Sequence, residues 1–256
     1  MIRSYSPAEL LPSIDWVYFF HSWNIRRSDI SSPHALELKA EALQTLQEWE
    51  DICRAQALAV LFPAWSDGDN LLVGKDEVVI PLLRQQTRRH ADAPFLCLSD
   101  FVRPKAYQGS SEPDTIGIFA TSVHTDVSGQ HTEDVYNDFM TTILCERLAE
   151  AAAAKIHEEI RIEKPTGIRP AVGYPCLPDL SVNFILDQLT DFSQIGIRLT
   201  ENGMMQPNAS VSGLILFHPA ARYFAVGKIS DEQWEDYAKR RDLPAEVLRK
   251  FLGRNL

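Results

Sequence analysis

Long apolar repeats at helical spacing and short dense apolar runs fall in separate groups along this chain. Ser32 and Pro33 open a helix over about 34–56, with Ser32 as N-cap and Pro33 at the first position. Leu36, Leu43, Leu46, Trp49 and Ile52 recur in it at helical intervals and are expected to face the core. Leu58–Ala64 reads as a buried strand that Pro63 ends. Asp67-Gly68-Asp69-Asn70 is a turn before a second strand, Leu71–Val73, with Val78–Ile80 beyond. Leu82–Thr87 reads as helical and Phe95–Leu98 as a short strand. Ile116–Thr121 is a strand in which Gly117 marks a close approach.

The longest helix is predicted from about Thr132 to Glu163. Thr132 would cap it, with Glu133 and Asp134 in its first turn. Met140, Ile143, Leu144, Leu148, Ala151, Ala152, Ile156 and Ile160 give it an apolar stripe. Further on, the pattern predicts a short helix over Asn183–Leu189 and a strand over Ile195–Thr200. Ser210–Phe217 and Tyr223–Val226 read as an antiparallel pair, joined through His218-Pro219. Ser230 to Gln233 makes a capping box for a helix over about 231–241, and another helix follows Pro244. Strands grouped between long helices, without strict β–α alternation, predict an α+β fold with a mainly antiparallel sheet in one domain, residues 1–256.

Two stretches fit neither period. Gly167-Ile168-Arg169-Pro170-Ala171-Val172-Gly173-Tyr174-Pro175-Cys176 is stiffened by two prolines, which push Arg169 and Tyr174 towards extended geometry. It predicts a rigid loop holding a guanidinium and a phenol in fixed directions, suited to a ligand clamp or to a well-packed connection. Ile14–Trp23 is an aromatic run that contains Asp15, which reads as a strand end or helix cap facing water. Glu150 lies among Ala149, Ala151, Ala152, Ala153 and Ala154, where small side chains permit close packing. An acid in that setting is usually solvated.

Composition narrows the function. A formal net charge of −10 argues against nucleic acid, since Arg88-Arg89 and Lys239-Arg240-Arg241 are short basic runs among acids. No apolar run approaches the roughly 20 residues of a membrane span, and no signal region opens the chain. Cys53, Cys97, Cys145 and Cys176 form no C-x-x-C pair and read as buried thiols of a cytoplasmic protein. Dinucleotide, Walker, H-E-x-x-H and G-x-S-x-G signatures are absent, and the seven His show no metal-ligand spacing. His124 and His131 read as surface residues, and His157 as a packing or chemical residue on the long helix. What remains suits binding of a small zwitterion, with Arg169 gripping a carboxylate and an acid holding an ammonium.

A set of short motifs in one order carries a family resemblance. They are Ile14-Asp15-Trp16 with Phe19-Phe20, Leu83–Thr87, and Ser99–Val102 with Pro104-Lys105. Arg147–Ala151 and Ile168–Ala171 with Gly173-Tyr174-Pro175 follow, then Leu199-Thr200-Glu201 and Ala209–Gly213. His218-Pro219 and Tyr223 with Ala225-Val226 complete the set. Over nearly its whole length the chain resembles the activation domain of cobalamin-dependent methionine synthase, which binds S-adenosylmethionine. The resemblance implies a twisted antiparallel sheet flanked by long helices. It also implies that Arg169 holds the ligand's carboxylate, while the Ala171 backbone, Gly173 and Tyr174 lie against the ligand. Asp15 and Glu150 match acids near its amino or ribose end and its sulfonium, and Tyr223 lines the site. A sulfonium favours carboxylates and aromatic faces.

The implied task is repair. The domain would dock over a cobalamin held by a partner module and offer the methyl group, while a flavodoxin-like donor supplies an electron. With an acidic chain, that donor is expected to dock on a local basic patch. The chain carries no D-x-H-x-x-G cobalamin motif and no homocysteine or folate module, so it is expected to be a protein acting in trans or a piece of a longer enzyme. It is also shorter than its relatives between Glu158 and Gly167. A binding or docking module without turnover, and a reactivator of another corrinoid methyltransferase, are the alternatives.

Overall fold

The sheet grows outward from one 15-residue strand, here numbered β2 (Cys53–Asp67). The computed structural model describes residues 1–87, 92–105, 112–126, 134–160 and 167–252. On one flank β2 pairs antiparallel with β5 (Asp114–Thr125), from Cys53↔Thr125 to Ala64↔Asp114. On the other, its first half takes β1 (Ile2–Tyr5) and its end takes β3 (Asn70–Val73), which pairs with β4 (Val78–Pro81). β8 (Ser210–Leu216) lies against the far side of β5 and completes a six-stranded antiparallel sheet. A small separate ladder joins β6 (Arg198–Leu199) and β7 (Met205–Gln206).

Alternation along the strands sorts the core into two faces. On β5, Ile116, Ile118 and Ala120 point to one side and Phe119 to the other; on β8, Leu214 and Leu216 oppose Ile215. The first face packs against α5 (Val182–Thr190), α6 (Asp231–Arg241) and α7 (Ala245–Leu252). The second packs against α1 (Pro7–Leu10), α2 (Trp16–Ser22), α3 (Pro33–Glu48) and α4 (Val135–Ile160). Ala55, Ala57 and Ala59 of β2 meet the alanine-rich middle of α4, so backbone approaches backbone. The Thr121 hydroxyl on β5 donates to the Ala149 carbonyl at 3.0 Å. The whole predicted stripe of α4, from Met140 to Ile160, is buried. This is the α+β arrangement that the hydrophobic pattern predicts.

Several local expectations need correction. α3 stops at Glu48 because β2 begins at Cys53, and its core face is Ala35, Leu38, Ala42 and Leu46. Leu36 and Leu43 point outward, the neighbouring alanines having taken the inner stripe, and Ile52 is also exposed. Pro63 lies inside β2. Its carbonyl accepts from Gly74 N at 2.9 Å, so its nitrogen faces the same flank and the ladder to β5 loses nothing. Leu82–Thr87 has no helical turn, since Arg84 is held by Asp69 (2.6 Å) and Asp100 (2.7 Å) and its backbone N–H donates to Gln233 Oε1 (2.8 Å). Phe95–Leu98 forms no strand, and Ile195–Thr200 shrinks to β6 because Phe192–Ile195 is a 3-10 turn.

α4 is capped by Asp134, whose Oδ1 accepts from Tyr136 N (3.1 Å) and Asn137 N (3.3 Å). The expected cap Thr132, with Glu133, His131, Arg88-Arg89 and residues 161–166 of the shortened segment, lies outside the described residues. His124 is exposed, with Nε2 3.0 Å from the Ile195 carbonyl. The Ser210–Phe217 strand does not pair with Tyr223–Val226. The 168–172 segment takes that edge instead, through the bridges Ile168↔Leu216 and Ala171↔Gly213. Gly117 does mark a close approach: a Cβ there would sit 2.9 Å from Ile215 Cβ. No described helix is long and apolar enough to cross a membrane.

Candidate functional site

Three parts of the fold converge on one open cavity of about 840 Å³, within the usual size range of small-molecule sites. The first part is the start of α2. Asp15 is its N-cap, accepting from Val17 N (2.9 Å) and Tyr18 N (3.4 Å) through Oδ1. Oδ2 is left without a protein partner among the described residues, at the cavity wall. The helix-cap reading of Asp15 is therefore correct, and the cap fixes the carboxylate beside the site.

The second part is one face of α4, where Arg147, Glu150 and Ala154 fall at helical spacing. The alanines around Glu150 let α4 sit close to the sheet, which carries Glu150 to the cavity wall. The third part is the 167–176 segment with Tyr223, Phe224 and Ala225 from the stretch beyond β8.

The position of that segment depends on Gly213 of β8. A Cβ at Gly213 would meet the Pro170 carbonyl oxygen at 2.2 Å and Phe119 Cε1 at 2.8 Å. The missing side chain is replaced by the Phe119 ring and by the loop backbone, held by Leu214 N→Pro170 O (3.0 Å) and Val172 N→Ser212 O (2.9 Å). These two bonds turn the N–H and C=O of Ala171 away from β8. The Arg169 guanidinium then stacks over the buried Phe119 ring, with Cζ 5.0 Å from its centroid. Gly173, at φ +85°, makes the turn that sets Tyr174 across from α4.

At the centre, Glu150 is shared. Oε1 accepts from the Tyr174 hydroxyl at 2.5 Å, and Oε2 lies 3.7 Å from Arg169 Nη1. Burial, then the Glu150 charge and hydrogen bond, push the Tyr174 phenol well above its ordinary range, so it stays protonated and donates. The backbone N–H of Arg169 donates to the Tyr223 hydroxyl at 2.9 Å. Beyond the 3.7 Å ion pair, the Arg169 guanidinium meets no hydrogen-bond acceptor among the described residues.

Of the residues expected at the site, Asp15, Glu150, Arg169, Ala171, Tyr174 and Tyr223 all line this cavity; Gly173 does not, acting one residue back through the turn. The sequence reading missed Tyr18, Arg147 and Cys176. Tyr18 lies one helical turn after Asp15, and Arg147 one turn before Glu150, so helical spacing was the available signal. Arg147 Cζ lies 5.8 Å from the Tyr18 ring centroid and its buried Nε has no hydrogen-bond partner among the described residues. Burial pushes the Cys176 thiol up to about 11, which disfavours its thiolate form. Among the described residues no group of three or more His, Cys, Asp or Glu is placed to hold a metal ion.

The arrangement offers a stacked cation, two carboxylates and three tyrosines around one cavity, a set suited to a small ligand bearing both charges. A family profile described as vitamin B12 dependent methionine synthase, activation domain, matches residues 7–242. A solved structure described as the MetH reactivation domain bound to AdoHcy is similar, with a TM-score of 0.87 and 31% identity, over 100% of this chain and 90% of that one. The chain belongs to the family of activation domains of vitamin B12 dependent methionine synthase.

Proposed function

We propose that residues 1–256 act as one activation domain that binds S-adenosylmethionine in this cavity and supports reductive methylation of a cobalamin held by a partner module. The observation that carries the reading is Arg169, stacked on Phe119 with its hydrogen-bonding capacity unmet, 3.7 Å from Glu150. A ligand carboxylate would satisfy the guanidinium in a bidentate manner. Glu150 and Asp15 would face the positive amino and sulfonium groups, and the phenols of Tyr174 and Tyr223 would cover the ligand. The likeness to a reactivation domain solved with AdoHcy supports the same ligand class.

Cobalamin held by its module would supply the metal that accepts the methyl group, with one electron from a flavodoxin-like donor. The S–CH3 bond pair would stay on sulfur, so the product held by this chain would be S-adenosylhomocysteine. This chain's own residues would bind and orient the ligand in a cavity that is open to a partner. The test mixes the chain with a cob(II)alamin-loaded methionine synthase module, S-adenosylmethionine and a reductant, and follows the cobalt absorbance. Conversion to the methylcobalamin spectrum only with all components present is the expected result. An unchanged spectrum would reduce the chain to a binding or docking module, and conversion without the chain would remove its role.

A further inference from the structure

The cavity contains its own competitor for the ligand. We propose that Glu150 acts as a specificity residue by pairing with Arg169 in the free protein, so that the site accepts a zwitterion and discriminates against a ligand carrying the carboxylate alone. The proposal rests on the S-adenosylmethionine reading above and deepens it.

The Glu150 side chain is 25% exposed and that of Arg169 is 16% exposed, so water screens the pair only in part. Tyr174 fixes one carboxylate oxygen at 2.5 Å and leaves the other aimed at Arg169, 3.7 Å away. That distance is too long for a hydrogen bond but close enough for strong attraction. Arg147 lines the same cavity but makes its ion pair with Glu146, at 3.9 Å, so Arg169 is the cation paired with Glu150. Asp15, held through Oδ1 at the α2 N-terminus, forms no ion pair with Arg169.

A ligand carboxylate that takes Arg169 therefore places a second negative charge beside Glu150. With no positive group on the ligand, Glu150 loses its cation and gains a like-charged neighbour, which is the costly way to break a partly buried pair. An α-amino carboxylate brings its own ammonium and leaves every charge matched. Selectivity then comes from a repulsive element as much as from an attractive one.

Calorimetric titration with neutral-sulfur probes isolates this effect from the sulfonium. The probes are S-adenosylhomocysteine and its desamino analogue, which keeps the carboxylate and lacks the amine. The wild-type chain is expected to bind the desamino analogue roughly tenfold or more weakly than S-adenosylhomocysteine. In Glu150→Gln the desamino analogue should bind several-fold tighter than to wild type, while S-adenosylhomocysteine binds more weakly, so the two affinities converge. Tyr174→Phe frees the Glu150 carboxylate to close on Arg169, and it should penalise the desamino analogue more than S-adenosylhomocysteine. Melting curves check that each variant is folded. If the desamino analogue binds Glu150→Gln no tighter than wild type, or Tyr174→Phe leaves the ratio unchanged, the competitor role is overturned. Failure of wild type to bind S-adenosylhomocysteine at all would instead overturn the ligand assignment.

Discussion

Gly213 shows how much of the site depends on an atom that is absent. The loop bearing Arg169 lies where the side chain of any other residue would project, with Pro170 O only 2.2 Å from the position of a Cβ. Gly213→Ala must push the loop off β8, move Arg169 from the Phe119 ring, or bend the strand. A change of this kind typically costs about 1–3 kcal/mol of stability. We expect a lower melting temperature together with a loss of S-adenosylmethionine affinity in the fraction that stays folded. Melting curves and titration on the same preparation check both effects. Unchanged affinity would mean that the loop does not need this register. Prolines around Arg169 and an acid among alanines mark those two residues as breaks in the pattern, whereas Asp15, Ala171, Gly173 and Tyr223 entered the candidate set only through the family resemblance. Their meeting was not legible, since it depends on a glycine about forty residues away accepting the loop.

At the scale of elements, β8 carries the largest departure from expectation. The apolar run of Tyr223–Val226 after His218-Pro219 has the pattern of a hairpin partner, yet Val226 N donates to Pro175 O at 2.8 Å and the strand edge goes to 168–172. Period and turn residues predict local pairing; they carry no information about a competing segment from elsewhere in the chain. The same limit explains Leu82–Thr87, where ion pairs to Asp69 and Asp100 override a helical pattern. By contrast α4 and α6 were readable, being long or well capped, and so was the nine-residue α5, by its amphipathic run alone. α6 is anchored by a buried cluster: Tyr237 donates to Asp179 Oδ2 at 2.6 Å, and Arg241 Nε lies 3.4 Å from the same oxygen. Asp179 is 1% exposed, so Asp179→Ala removes the counter-charge of the Arg241 guanidinium and the short bond of the Tyr237 phenol, leaving only Ser181 Oγ and the Pro81 carbonyl as their acceptors. Denaturant titration should show a loss of about 3–5 kcal/mol. A loss below 1 kcal/mol would mean that the Asp179 cluster does not anchor α6.

For the whole molecule, the buried thiols make stability fall at alkaline pH. Burial pushes Cys53, Cys97 and Cys176 up to about 11 and Cys145 up to about 12. In the unfolded chain such thiols ionise near about 8.5. Above that pH the unfolded state has released protons that the fold still holds, so stability is complete below about 8.5 and declines as pH rises towards the folded values. Melting temperatures measured from neutral pH upward should decrease, with Cys145→Ala flattening the slope; a level profile would contradict this. The fold as a whole brings Asp15, Glu150, Arg169 and Tyr223 from four distant parts of the chain to one cavity, and the claim that this cavity binds S-adenosylmethionine governs everything else. Calorimetric titration of wild type and Arg169→Ala with S-adenosylmethionine tests it most directly. Losing a bidentate charged contact of about 3 kcal/mol predicts saturable one-to-one binding by wild type and affinity weakened about 100-fold in the variant, with melting curves checking that the variant is folded. No heat of binding by wild type at millimolar ligand, or equal affinity in Arg169→Ala, would contradict it.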